Sequence, residues 1–92
     1  MTHYLLIHQV ERFPASQDEW IELWRSIRRR CSKDAEWLHS FMDTQTNKLY
    51  CEWKATDLEA IMRCFDQDTL TMAPIEYSAE IVYFDTEWLD EE

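Results

Sequence analysis

Two histidines and one cysteine lie in strand-like stretches of this sequence, where a buried polar side chain needs a partner or a role. They are His8, His39 and Cys51, the last of which follows His39 by 12 residues. Imidazole and thiolate together can ligate zinc, nickel or copper, and a neutral imidazole can instead act as a general base near neutral pH. The three residues are therefore candidate metal ligands, and His39 is also a candidate catalytic base.

The register of the predicted hairpin decides whether His39 and Cys51 meet. If the numbers of paired residues add to an even sum, His39, Cys51 and Trp53 share one face, whereas a shift of one residue separates them. An alternative without ligand chemistry is a histidine hydrogen-bonded across the sheet beside a cysteine that acts as a small apolar residue.

Several other chemistries have no matching motif in the chain. The sequence contains no glycine, so it has neither a phosphate-binding loop nor a dinucleotide fingerprint. Serine, histidine and aspartate form no positional signature of a catalytic triad. Glu52 and Glu80 fall on predicted strands, where their alternation is typical of a solvated face, and Arg28 to Arg30 fit the negative end of a helix.

Hydrophobic spacing predicts the elements that must position these residues. Four strands are predicted, over residues 4–10, 37–43, 49–55 and 75–85. Ser16 and Glu19 form a capping box that begins a first helix with an apolar face, and Thr56 and Glu59 form a second box. Residues 67–74 are predicted to be a loop, and Asn47 is the predicted positive-φ residue of the hairpin turn.

The order β-α-β-β-α-β predicts an α+β, ferredoxin-like domain over residues 1–86, followed by an acidic tail over 87–92. Two helices would cover one face of a four-stranded antiparallel sheet. The other face would stay open and carry large apolar side chains, which favours a homodimer of the dimeric α+β barrel type. Trp37, Phe41 and Trp53 are expected near that face.

Charge and cysteine usage narrow the expected partners and compartment. The net charge of −10 disfavours nucleic acid and anionic membranes as partners. From Cys64 to Glu92 the chain has 9 acidic residues and no lysine or arginine, which is typical of a solvated surface or, less simply, of a site for a basic partner. With no membrane-length apolar run and three scattered cysteines, we expect a cytoplasmic protein with free thiols.

Residues 35–65 resemble a family of small bacterial proteins of unassigned function. The resemblance rests on the strand Trp37-Leu38-His39-Ser40-Phe41, on Cys51, and on the helix start that contains Glu59-Ala60-Ile61. It implies the dimeric α+β barrel fold and, because some members are described as nickel-binding, a role for His39 and Cys51 as ligands. The chain departs from the family after the second helix, where Asp66 to Thr71 replace a histidine- or asparagine-rich turn.

Two functions of different classes follow as hypotheses. The first is a cytoplasmic, non-enzymatic module that binds a small ligand or a transition metal, nickel or zinc, through His39, Cys51 and His8. The second is a cofactor-independent monooxygenase or isomerase, in which His39 is the base of an apolar sheet-face pocket. A cavity with His39 pointing into it favours the second hypothesis, whereas a face filled by tryptophan and phenylalanine opposes it.

Overall fold

A computed structural model describes residues 1–89 of the chain. In chain order the elements are β1 (Thr2–Gln9), α1 (Gln17–Arg30), β2 (Ala35–Asp43), β3 (Lys48–Ala55), α2 (Leu58–Met62), α3 (Gln67–Met72), β4 (Ile75–Ile81) and a 3-10 helix (Thr86–Leu89). Part of the predicted acidic tail, at residues 87–89, thus belongs to that 3-10 helix, and its last three residues, 90–92, lie outside the described residues. None of the helices in residues 1–89 is long and apolar enough to cross a membrane.

The four strands form one antiparallel sheet in the order β2-β3-β1-β4. This is the ferredoxin-like arrangement that the element order predicts, with β1 and β3 at the centre. Alternate residues of the central strands are buried, among them Leu6, Cys51 and Trp53. They face Ile27 of α1 and Ile61 of α2 in a single core, so the helices cover one face and leave the other open.

The first helix begins where the capping box predicts. Ser16 Oγ accepts a hydrogen bond from the amide of Glu19 at 3.2 Å, and Glu19 Oε2 accepts one from the amide of Ala15 at 2.8 Å. The first contact satisfies an amide that a helix start leaves without a partner, and the second ties the residue before the cap to the first turn. One side of α1 packs on the core through Ile27, and Arg28 to Arg30 occupy the last turn, where the helix dipole favours positive charge.

The second helical region differs from the prediction in two respects. Asp57, and not Thr56, caps α2, since its carboxylate accepts a hydrogen bond from the amide of Ala60 at 2.9 Å. The predicted loop at 67–74 contains α3, which Asp66 caps through the amide and hydroxyl of Thr69. These hydrogen bonds to the carboxylate also lower the pKa of Asp66, so this aspartate stabilises a helix start.

The hairpin turn between β2 and β3 is confirmed to use Asn47 in a left-handed conformation, at φ 59°. Asparagine tolerates this region better than most residues because its side chain is short and polar. The backbone carbonyl of Asn47 accepts a hydrogen bond from the amide of Val10 at 2.9 Å. The turn therefore also anchors the segment that leaves β1.

The last strand is shorter than predicted, because pairing ends at Ile81 and Tyr83 lies beyond the sheet. A register shift between Ile7 and His8 also divides β4. Ile75 pairs with His8, which faces the helices, whereas Tyr77 pairs with Ile7 on the open side. Strict alternation along β4 would put Ile75 and Tyr77 on one face, but the bulge adds one residue between them and puts them on opposite faces.

Candidate functional site

A β-bulge in β2 decides the orientation of His39. Trp37 pairs with Trp53, but the next pair is His39 with Glu52, so that Leu38 and His39 together stand opposite one residue of β3. Ser40 then pairs with Cys51. His39 consequently lies on the open face and Cys51 on the helix-covered face, and the condition under which they would share a face is not met.

On the open face His39 lies against a carboxylate. His39 Nε2 and Glu52 Oε2 are 3.0 Å apart, and the side chains are 52% and 16% exposed, respectively. Glu52 Oε2 itself is buried and, within residues 1–89, has no well-aligned hydrogen-bond partner. A carboxylate in this position favours the imidazole tautomer with its proton on Nε2, which leaves the lone pair of Nδ1 available as a base.

This pair lies beside an open cavity of about 500 Å3 on the sheet face, within the size range of small-ligand sites. Trp37 and Trp53 do not fill the face, because both point toward the helices, where Trp53 is buried. The cavity is lined by residues of β1, β2, β3 and the C-terminal segment, namely His3, Leu38, His39, Lys54, Tyr83 and Trp88.

Aromatic contacts hold the C-terminal wall of the cavity in place. The rings of His3 and Tyr83 stack with centroids 5.6 Å apart, and Trp88 meets Tyr83 edge-on at 6.5 Å. Tyr83 Oη donates a hydrogen bond to Asp85 at 3.0 Å. The hydrogen bond and the negative charge of Asp85 raise the pKa of Tyr83, so this side chain remains a neutral phenol at physiological pH.

His8 occupies a different environment, among buried side chains on the helix-covered face. Its Nδ1 lies 2.8 Å from the carbonyl oxygen of Ala73, and because a carbonyl can only accept, Nδ1 carries the proton. Burial lowers the pKa of His8, and its Nε2 has no hydrogen-bond partner among the described residues. His8 is therefore a neutral, hydrogen-bonded core histidine.

Cys51 is fully buried in the same core. Burial raises the pKa of its thiol to about 12, so the thiolate that a metal would require is strongly disfavoured. Cys51 and His8 face the helices while His39 faces away from them. The three candidate ligands thus do not converge, and among residues 1–89 no group of three or more His, Cys, Asp or Glu side chains is placed to hold a metal ion.

The sequence had assigned little to the other residues of the cavity. Glu52 was expected to be a solvated strand residue like Glu80. Glu80 pairs with Tyr4, a core residue, and so faces the other way from Glu52. Strict alternation along β3 already separates Glu52 and Lys54 from Cys51 and Trp53. That alternation was the available signal, whereas nothing in the sequence placed Tyr83 or Trp88 near them.

No protein-family model matches the chain, and neither the curated proteins nor the solved structures contain a significant match to it. The resemblance of residues 35–65 to a nickel-associated family therefore stays a prediction.

Proposed function

We propose that the chain is a small cofactor-independent enzyme of the monooxygenase or isomerase kind that abstracts a proton from a substrate bound in the sheet-face cavity. His39 is the general base, and Glu52 is a positioning residue that holds the imidazole. The observation that carries the proposal is the imidazole–carboxylate contact of 3.0 Å at a cavity of about 500 Å3. The bulge at Leu38 supports it further, since bulges near active sites often redirect a side chain.

We further propose that a second copy of the chain closes the cavity as a homodimer through the open sheet face. Leu5, Ile7 and Ala79 are only partly covered there, and Phe41 and Tyr77 are each 54% exposed. Charges of both signs border this apolar surface, with a Lys48–Glu76 ion pair near one end. A two-fold interface requires a surface that complements itself, and this mixture of apolar and oppositely charged groups supports the proposal.

A metal-binding module is the weaker proposal, because its three ligands lie on two faces of the sheet. Elemental analysis after dialysis against nickel and zinc separates the two proposals. We expect no metal whose retention depends on His39. One metal per chain that disappears in the His39→Ala variant would restore the metal-binding proposal.

The proposed role of His39 as a general base is tested with an activated carbon acid, 5-nitrobenzisoxazole. Transfer of its C3 proton to His39 Nδ1 leaves the electron pair to form the nitrile, while the ring N–O bond breaks and releases a coloured phenolate. We expect the wild-type protein to accelerate this reaction and His39→Ala to lower the rate by roughly a hundredfold or more. Wild-type activity no greater than that of free imidazole, or full activity in His39→Ala with an intact circular dichroism spectrum, would contradict the assignment.

A further inference from the structure

The residues that line the cavity differ in composition from the acidic molecule around it. The chain carries 19 acidic residues and a net charge of −10, yet none of the six side chains that line the cavity is a carboxylate. The lining instead contains the ammonium group of Lys54 and two imidazoles. A second groove of about 520 Å3 between α1 and α3 shows the contrast, because its arginines are mixed with carboxylates, namely Glu19, Glu22, Asp66 and Asp68.

Two carboxylates near the cavity already have partners. Glu52 contacts His39. Asp85 accepts hydrogen bonds from Tyr83 Oη and the amide of Glu87, which lower its pKa. Glu36 stands opposite Lys54 in the ladder, but Lys54 forms no salt bridge with it or with any other residue in the described part of the chain.

We infer that the substrate is a planar aromatic anion, with its ionised oxygen at Lys54 and its ring against Tyr83 and Trp88. This inference rests on the proposed function, since it names the substrate class of the same cavity. A half-buried lysine without a carboxylate partner retains its donors for a ligand anion. Aromatic side chains stack with planar rings, and the geometry places those of Tyr83 and Trp88 along one wall. His39 lines the same cavity and is therefore available as the base for this ring.

The probes are 2-naphthoate and its neutral analogue 2-naphthamide, whose binding is measured by calorimetry. We expect wild-type protein to prefer the carboxylate by roughly tenfold to a hundredfold, the usual value of a hydrogen bond to a charged group. Lys54→Gln should abolish the preference and Lys54→Arg should keep most of it. Lys33→Gln is the matched control, because it removes the same charge from an exposed loop outside the cavity.

Equal or undetectable binding of the two probes to wild-type protein, or a preference that survives Lys54→Gln, would overturn the inference. The His39→Ala variant separates this result from the proposed function. If His39→Ala keeps the carboxylate preference while wild-type protein shows no base activity, the anion site stands and the catalytic proposal fails. If base activity depends on His39 but naphthoate gains nothing from Lys54, the catalytic proposal stands and the substrate class is wrong.

Discussion

The Glu52 side chain is largely buried, and its nearest polar partner is one imidazole nitrogen of His39. A buried carboxylate with a single polar partner rarely occurs without a role. We expect Glu52→Gln to lower the rate with 5-nitrobenzisoxazole less than His39→Ala does, because the base itself remains. Nitrogen-15 shifts of His39 should report a proton on Nε2 in the wild type and a mixture of tautomers in the variant. Glu36→Gln, which removes an exposed carboxylate from the neighbouring strand, should alter neither the reaction rate nor the tautomer of His39. Unchanged tautomers in Glu52→Gln would show that the carboxylate does not position the imidazole.

His8 should make stability depend on pH. Because burial lowers its folded-state pKa, the unfolded chain binds the proton more readily below its ordinary value of 6.5. The free energy of unfolding contributed by neutral His8 is therefore fully present above that pH and falls as the pH drops below it. Urea unfolding at neutral pH and at about pH 5 should show this loss, and His8→Leu should reduce it. An identical pH dependence in the two proteins would contradict the assignment.

At the scale of elements, the start of α2 gives a direct test of one correction. Asp57→Ala should lower the free energy of unfolding by about 1 kcal/mol, because it removes the acceptor for the amide of Ala60. Thr56→Ala is the matched control and should cost much less, since Thr56 does not cap the helix. Chemical denaturation of both variants measures the difference. A larger loss in Thr56→Ala would favour the capping box that the sequence suggested.

The elements were more predictable than the way they orient side chains. Hydrophobic alternation and the Ser16 cap identify the strands and α1, because both signals are local. The bulge at Leu38 and the bulge in β4 opposite Ile7 and His8 are set by packing between strands. No residue type marks either position. A single inserted residue reverses the face of everything beyond it. This is why the hypothesis from the sequence joined His39 to Cys51, whereas the structure places His39 against Glu52.

At the scale of the whole molecule, much of the exposed apolar surface in residues 1–89 lies on the open sheet and the C-terminal segment. Val82, Phe84 and Leu89 are each at least 75% exposed, although chains of this size leave few such side chains without a role. We expect wild-type protein to sediment as a dimer and Ile7→Glu to sediment as a monomer, because the variant places a charge on the open face. Ile21→Glu, on the outer side of α1, should remain dimeric. A monomeric wild-type protein, or a dimeric Ile7→Glu variant, would argue against the sheet-face interface.

The strand order also determines when each part of the fold can form during synthesis. Within residues 1–89, β1 pairs with β3 and β4. After it leaves the ribosome, β1 therefore waits until residue 55 has emerged for one neighbour and until residue 81 for the other. The hairpin of β2 and β3 requires only local contacts and can form in the meantime. Pairings between distant segments are the slow steps of folding. Among the four strands, β1 therefore leaves its apolar side chains unpaired longest in the nascent chain, and such exposed surface favours non-native association.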